Sequence, residues 1–534
     1  MRTVSDFSTR HGRLQAASTR RFDVVVVGGG IHGVCTAALA AKAGLSVLLL
    51  EAKDYAHATS SRSSKMAHGG LRYLEMFDFQ QVFEGIKSRE ELFEKCPNLV
   101  TPEKFLIPVP RGQHWLRLKL RVGLVLYDLM VRNARRKHRW IPRRELQFTS
   151  FHSERSDLEG CYQYTDGLMS DARLVFELLT DGQHRGLCAL NYARVDAVEQ
   201  QRDSSLIVSW SDTLTGNVYR SRASLVINCG GPWAPDIREL KSALSETRVK
   251  YSRGSHLVFS VPWKDPSLFL PLAEKGRYYF VWPHPAGTMV GTTEREVSEL
   301  ESDPMPSVDE VEEILTRLAK DLPESGLTRE NLSYAFAGIR TLPMRNSKKG
   351  ISQLSRKHIW KLERGVLTLL GGKYTTFAWT AAEGFARARR YLGKSQAPVP
   401  SVLDNLPSAI SDNEREGLCA KLRADYHYHG PGVERAVRRL GRQVLDYVER
   451  SDLWREVAPG VLALEVCHAI EVEQAETIED VLRRRLELEA TPSHGIEALD
   501  EVKAQLATHC SEEDVRAQEQ RWREHLRQVD TLLR

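Results

Sequence analysis

The chain has 534 residues, with 75 Lys+Arg against 70 Asp+Glu and a net charge of +5. That length suggests two to four domains, and a hydrophobic share of 42% excludes a wholly disordered chain. No run approaches ~18 uninterrupted apolar residues, the charge is too mild to imply nucleic acid, and the 8 cysteines are scattered without a CxxC pair or zinc spacing, so a spanning helix, a disulfide framework and a metal site are not expected and a reducing compartment is.

Residues 1–21 are Arg- and Ser-rich and lack an apolar core segment. They read as a disordered polar extension in preference to an organelle transit peptide. Order begins at Phe22. The run Val24–Val27 is uniformly apolar and β-branched, which predicts a strand buried on both faces. Gly28-Gly29-Gly30-Ile31-His32-Gly33 follows, matching G-x-G-x-x-G through Gly28, Gly30 and Gly33. An Ala-rich helix is predicted from about Val34 to Ala43, ended by Gly44, and then a strand over Ser46–Leu50. Glu51 closes that strand, where a carboxylate accepts ribose hydroxyls and repels a 2′-phosphate. Strand, glycine turn, helix and acid together predict an adenine dinucleotide, with the helix N-terminus facing its pyrophosphate. The competing reading is a glycine turn without a ligand. The motif by itself does not separate FAD from NAD.

Residues 111–144 are strongly basic: Arg111, Arg117, Lys119 and Arg121 precede an apolar run, Val122–Val131, and seven further cations follow it. Asp128 is the only acid before Glu145. Such a segment suits the plane of an anionic membrane, with Trp115 and Trp140 at headgroup level. The bland alternative is a buried helix beside a solvated basic loop. Strands are predicted over Leu206–Trp210, Leu225–Cys229, His256–Ser260, Tyr278–Trp282, Thr288–Gly291 and Val366–Leu370, and a helix over Val308–Asp321. From about Pro398 glycine thins out and helical spacing takes over, with a capping box at Thr477–Asp480. Residues 396–407 are the linker candidate.

Several stretches resemble one family. They are Ala58-Thr-Ser-Ser-Arg-Ser-Ser-Lys-Met-Ala-His68-Gly-Gly-Leu-Arg72-Tyr73-Leu74, Arg253-Gly-Ser-His256, Val290-Gly-Thr-Thr293, Ala337-Gly-Ile-Arg340-Thr-Leu-Pro343 and Gly371-Gly-Lys373-Tyr-Thr-Thr376. Tyr164-Thr-Asp166, Asn228-Cys-Gly-Gly-Pro-Trp233 and the stretch around Glu465–Arg485 match too. In this order and spacing, from about residue 22 to about 525, they resemble the FAD-dependent, quinone-linked glycerol-3-phosphate dehydrogenases. The resemblance implies an α/β fold: a discontinuous Rossmann-like FAD-binding domain with an inserted mixed-sheet substrate domain over 22–397, and a C-terminal helical domain over 398–534. It implies oxidation of glycerol 3-phosphate by hydride transfer to FAD, a quinone acceptor and a place on the cytoplasmic side of the inner membrane, peripheral or monotopic, with a soluble cytoplasmic protein as the alternative. Oligomeric state is left open.

The residues assigned by that resemblance have readable chemistry. Thr59, Ser60, Ser61 and Ser64 supply hydroxyls of the kind a flavin or pyrophosphate needs, and Gly230, Gly372 and Thr375 fall beside the cofactor. A phosphorylated substrate needs cations, for which Arg72, Arg340, Lys373 and, by a looser match, Arg356 are the candidates. Tyr73 would position the substrate. His256 is the first choice for the base and His68 the second, since a neutral histidine accepts a proton near pH 7; a hydrogen-bonded structural role is the alternative for each. Arg340 would also stabilise alkoxide character. The chain departs from the family pattern at Glu294, at Thr341-Leu-Pro343 and at Phe377-Ala378. That leaves open a dehydrogenase or oxidase of another polyol phosphate or hydroxy acid, or an inactive flavin-binding protein.

Overall fold

A computed structural model describes residue 7 and residues 9–71, 78–131, 133–148, 157–236, 249–272, 277–344, 357–394, 398 and 400–534. The chain visits two sheets in alternation. β1 (Arg21–Val27) and β2 (Val47–Leu50) belong to the first. β3 (Met66–Ala67), β4 (Val100–Pro110), β5 (Arg139–Pro142) and β6 (Leu158–Met169) belong to the second. β7 (Cys188–Leu190), β8 (Ala193–Gln200), β9 (Leu206–Asp212) and β10 (Val218–Asn228) return to the first. β11 (Val249–Phe259), β12 (Ser267–Pro271), β13 (Tyr278–His284), β14 (Gly287–Gly291), β15 (Arg295–Val297) and β16 (Leu332–Pro343) complete the second, and β17 (Ile359–Glu363) and β18 (Val366–Leu370) close the first. The second sheet is therefore built from two separate stretches of chain inserted between strands of the first.

β1 lies between β2 and β10, parallel to both, so Val25 faces Leu48 on one side and Val226 on the other. Val24, Val25 and Val26 are wholly buried, as a strand covered on both faces must be. The helices in chain order are α1 (Arg10–Thr19), α2 (Ile31–Lys42), α3 (Phe79–Lys95), α4 (His114–Asp128), α5 (Asp171–His184), α6 (Val308–Asp321) and α7 (Phe377–Tyr391). α8 (Asp412–Tyr426), α9 (Pro431–Leu440), α10 (Ala463–Glu471), α11 (Leu499–Leu506) and α12 (Glu512–Leu533) follow in the C-terminal region. α2 is apolar nearly all round because it is sandwiched between the first sheet and α5 and α7. α6 opens on a reciprocal capping box between Ser307 and Glu310 and covers the second sheet with Val311, Ile314 and Leu318.

Three expectations are corrected. The N-terminal extension is not disordered over residues 10–19: α1 is capped by Thr9, buries Ala16 and Ala17, and accepts a hydrogen bond from Ser221 at the Ala17 carbonyl, 2.7 Å. Its Arg10 pairs with Asp212 at 3.0 Å. Residues 402–406 are no free linker, since Val402, Leu403 and Leu406 are buried in the core beneath α2. Thr477 and Asp480 do cap each other, but the turn they open, Asp480–Arg485, is a π-helix whose consecutive Arg484 and Arg485 both reach Asp54.

Candidate active site

β1 ends at Val27, and the chain turns through Gly28, at φ +102°, into α2, which begins at Ile31 and not at Val34. A side chain at Gly33 would run into the Gly28 carbonyl oxygen, and one at Gly28 would come 2.5 Å from that of Cys229. The turn thus packs directly on the end of β10. The Ile31 N–H donates to Ser60 Oγ at 2.9 Å. Glu51, at the end of β2, accepts the Gly29 N–H at 2.6 Å and the Lys53 N–H at 2.8 Å. Burial pushes its pKa above the usual carboxylate range, while those two N–H groups oppose the shift.

A cavity of about 640 Å³ opens on this turn. Glu51, Ala193 and Val195 line it beside β2, and Gly28, Gly30 and Ser60 at the start of α2. Where the two sheets meet, its wall carries Thr59, Ser64, His68, Gly230, Arg340, Gly372, Lys373 and Thr375. Thr59 Oγ1 donates to the Ile339 carbonyl at 2.7 Å, and the His68 N–H donates to Thr375 Oγ1 at 3.2 Å. Arg340 donates to Thr292 Oγ1 at 3.3 Å. Most of the residues singled out by sequence therefore share one cavity.

Three of them do not line it. Gly33 lies beneath the turn. Ser61 faces a separate cavity of about 50 Å³ together with Lys65 and Glu487. His256 on β11 pairs in register with Phe336 and with Gly291, whose missing side chain leaves room for the ring. The ring stacks on Phe336 at 5.0 Å and is 1% exposed. Burial, helped by Arg340 and Lys65, pushes its pKa down to about 3. Arg72, Tyr73 and Arg356 lie outside the described residues.

The structure adds residues the sequence did not mark. His32, at a free position of the glycine motif, packs its ring against Gly372, where a Cβ would lie 2.8 Å away. Burial lowers its pKa to about 4, and its Nε2 is buried without a hydrogen-bond partner among the described residues. Gly254 admits Arg340: a Cβ there would sit 2.7 Å from its Nη2. The signal for Gly254 was its place in Arg253-Gly254-Ser255-His256, one of the stretches that carry the family resemblance.

These residues fit an adenine dinucleotide. The N-terminus of α2, with the positive end of its dipole, suits the pyrophosphate, glycines leave it room, and Glu51 has further lone pairs for ribose hydroxyls. The fold and this cavity define a dinucleotide-dependent oxidoreductase. Residues 23–388 match the FAD dependent oxidoreductase family, so the chain belongs to that family and FAD is its cofactor. Within it, the chain is 29% identical over 540 residues to glycerol-3-phosphate dehydrogenase of Synechocystis sp., covering 95% of this chain and 96% of that protein. It is 31% identical over 378 residues to aerobic glycerol-3-phosphate dehydrogenase of Bacillus subtilis, covering 69% of this chain and 67% of the relative. The structure of the Bacillus halodurans glycerol-3-phosphate dehydrogenase complexed with FAD superposes with a TM-score of 0.76 at 22% identity, over 98% of this chain and 97% of that one.

Proposed function

We propose that the protein oxidises sn-glycerol 3-phosphate to dihydroxyacetone phosphate and passes the two electrons to a quinone. The observation that carries this reading is the meeting of Arg340, Lys373 and His68 on the wall of the cavity that holds the dinucleotide-binding turn. Bound FAD supplies the acceptor for the hydride that leaves the secondary carbon. The chain's own residues do the rest. Lys373 and Arg340 offer cations to the phosphate dianion and to the oxygen that gains alkoxide character. His68 takes the hydroxyl proton; its support over His256 is its place on the wall and its partial exposure. Arg72, Tyr73 and Arg356 join the substrate side on the strength of the resemblance. The test is anaerobic bleaching of the bound flavin by glycerol 3-phosphate against a panel of other polyol phosphates and hydroxy acids. Full bleaching by glycerol 3-phosphate alone is expected, and bleaching by a hydroxy acid instead overturns the substrate.

Peripheral docking on the cytoplasmic face of an anionic membrane, which gives access to a quinone, is supported by α4. No helix among the described residues is long and apolar enough to cross a membrane. Trp115, Leu118, Val122 and Val125 recur along α4 at helical spacing, Leu129 at its C-cap continues them, and all five are exposed, flanked by the cations Arg117, Lys119 and Arg121. An apolar stripe left outside with cations beside it suits an interface of lipid and water.

A further inference from the structure

Gly69 directly follows His68, and its N–H donates to Asp166 Oδ1 at 2.9 Å. The same oxygen accepts from the Tyr127 hydroxyl at 2.7 Å and from Arg89 Nη1 at 2.8 Å. Asp166 is 2% exposed, Tyr127 1% and Arg89 0%. Three donors from three elements thus converge on one buried oxygen: the turn after β3, α4 and α3. Arg89 also donates to the Thr165 carbonyl at 2.7 Å and to Glu90 at 2.7 Å, and Glu90 in turn pairs with Arg136 at 2.8 Å. The Tyr164 hydroxyl completes the surround of Asp166.

The packing explains why these residue types are required. A Cβ on Gly69 would run into the Tyr127 hydroxyl, so the phenol reaches Asp166 only because position 69 is glycine. Burial holds the Tyr127 phenol well above its ordinary pKa, so it remains a donor at working pH. On the other side of the turn the His68 N–H is tied to Thr375. Two consecutive amides are therefore anchored, one to the cofactor side of the cavity and one to α4 through Asp166. Tyr127 and Leu124 form the buried face of the helix whose opposite face is the exposed apolar stripe.

We propose that Tyr127 is a positioning residue for the cavity turn His68-Gly69, acting through Asp166, so that α4 sets where the His68 ring stands. This rests on the reading that His68 acts on the substrate. A hydrogen bond removed one shell away shifts the turn, and misplacement on the scale of 1 Å costs up to about 10²-fold in rate.

The test is stopped-flow flavin reduction by glycerol 3-phosphate across pH, on FAD-loaded wild type, Tyr127→Phe, Arg136→Gln and His68→Asn. Tyr127→Phe is expected to keep one FAD per chain and a near-normal melt. Its reduction should slow about tenfold, and the acid limb of its pH–rate profile should move. Arg136→Gln, at the outer end of the same chain of bonds, should act in the same direction and less. In parallel, carbethoxylation of His68 in the holoenzyme, read by peptide mass, should change rate in Tyr127→Phe. An unmoved rate, limb and carbethoxylation in Tyr127→Phe, with FAD bound, overturns the proposal. If Tyr127→Phe does not hold FAD, Arg136→Gln decides on the same readouts. His68→Asn separates the two levels: if it keeps the limb, the reading of the site fails whatever Tyr127→Phe does.

Discussion

The Nε2 atom of His256 lies 2.9 Å from Oγ of Ser64, and Ser64 faces the cavity while His256 does not. With a pKa of about 3 set by burial, Arg340 and Lys65, the His256 ring is neutral throughout the working range. It is linked to the cavity through the serine. The acid limb of the pH–rate profile is therefore expected to belong to His68. His68→Asn should slow flavin reduction by ~10²–10⁴-fold and flatten that limb. His256→Asn should keep the limb in place. Steady-state rates from pH 5 to 9 check both, and a limb lost in His256→Asn would return the base to that residue.

The same burial predicts a pH dependence of stability. In the unfolded chain His256 titrates near ~6.5, whereas in the fold it stays unprotonated down to about 3. Below pH ~6.5 the unfolded state binds a proton that the folded state refuses, so stability falls as pH drops, by about 1.4 kcal/mol per unit for one group. Above that pH the group contributes no slope. His32 and His284, each pushed down to about 4 by burial, act in the same direction. Glu487 and Glu489 are held down to about 2: burial alone would raise them, but Lys65 and Arg439 overcome it at Glu487 and Arg483 does so at Glu489. Their stabilisation is lost only below the ordinary carboxylate range, so between ~6.5 and ~4.5 the histidines lower stability as pH falls, and Asp480, pushed up to about 6, opposes them over the lower part of that window because the fold takes up its proton first. Urea midpoints should fall through that window, and His256→Gln should make the fall shallower. Equal slopes in both proteins would show that His256 is not the buried neutral ring described.

Gly254 and Arg340 form a matched pair across β11 and β16. Gly254→Ala places a methyl 2.7 Å from Arg340 Nη2 and 2.7 Å from Thr292 Oγ1, its hydrogen-bond acceptor. The guanidinium is expected to swing away from its site. Loss of one oxyanion donor costs ~10²–10³ in kcat, and Gly254→Ala should approach that range with FAD content unchanged. Arg340→Lys should follow it, since the charge remains but the planar fork is gone. A rise in KM with kcat intact in both variants would assign Arg340 to phosphate binding alone.

The parts of this architecture written locally were legible in the sequence. Val24–Val27 could be nothing but a doubly covered strand, the glycine turn needs its glycines, and the helical spacing over Val308–Asp321 gives α6 with the bounds the structure shows. What was not legible depends on distant partners. α1 has a polar composition and is held by Ala16 and Ala17 in a core shared with Leu190, Val208 and Trp210, and by a hydrogen bond from Ser221, 204 positions from Ala17. Ser60 and Ser61 are adjacent and alike, yet one caps α2 and the other faces a different cavity. His256 reads as a proton acceptor until Phe336, Trp282 and Ser64 enclose it. The register of three strands decided that, and no spacing in the sequence reports it.

The exposed stripe of α4 predicts lipid binding by a membrane-surface helix. Each cation near an anionic surface is worth ~1 kcal/mol, and the apolar side chains add their burial. Wild-type protein should float with vesicles containing an anionic phospholipid and bind neutral vesicles more weakly. Leu118→Ser with Val122→Ser and Leu129→Ser should abolish flotation on both, while leaving flavin content intact because those side chains point away from the core. Wild type that remains in the soluble fraction with anionic vesicles at low salt refutes the membrane reading and leaves the stripe to a protein partner.

Asp54 ties the cofactor domain to the C-terminal region, and its removal is the severest change the structure predicts. It lies in the turn after β2, where the Ala56 N–H bonds the Gly29 carbonyl of the glycine turn at 3.1 Å. Its carboxylate accepts from Arg484 Nε at 2.6 Å, from Arg485 Nη2 at 2.9 Å and from Asn191 at 3.2 Å. Asp54 and both arginines are 2% exposed or less. Against burial, Arg485 and Arg484 hold the Asp54 carboxyl below its usual range, while burial and the nearby Asp54 charge push Asp480 up to about 6. Asp54→Asn keeps the shape and removes the charge, which leaves two buried guanidiniums short of a counter-ion. Breaking a buried pair in this way costs ~3–5 kcal/mol, a large share of a domain's whole stability. Because the affected turn carries Glu51 and touches Gly29, FAD should also dissociate more readily. Thermal melts and FAD titration by flavin fluorescence measure the two effects. A variant within ~1 kcal/mol of wild type that binds FAD normally would mean that Glu479 and Asp480 beside Arg484, and Glu473 beside Arg485, suffice as counter-ions, and that the C-terminal region holds its place by apolar packing.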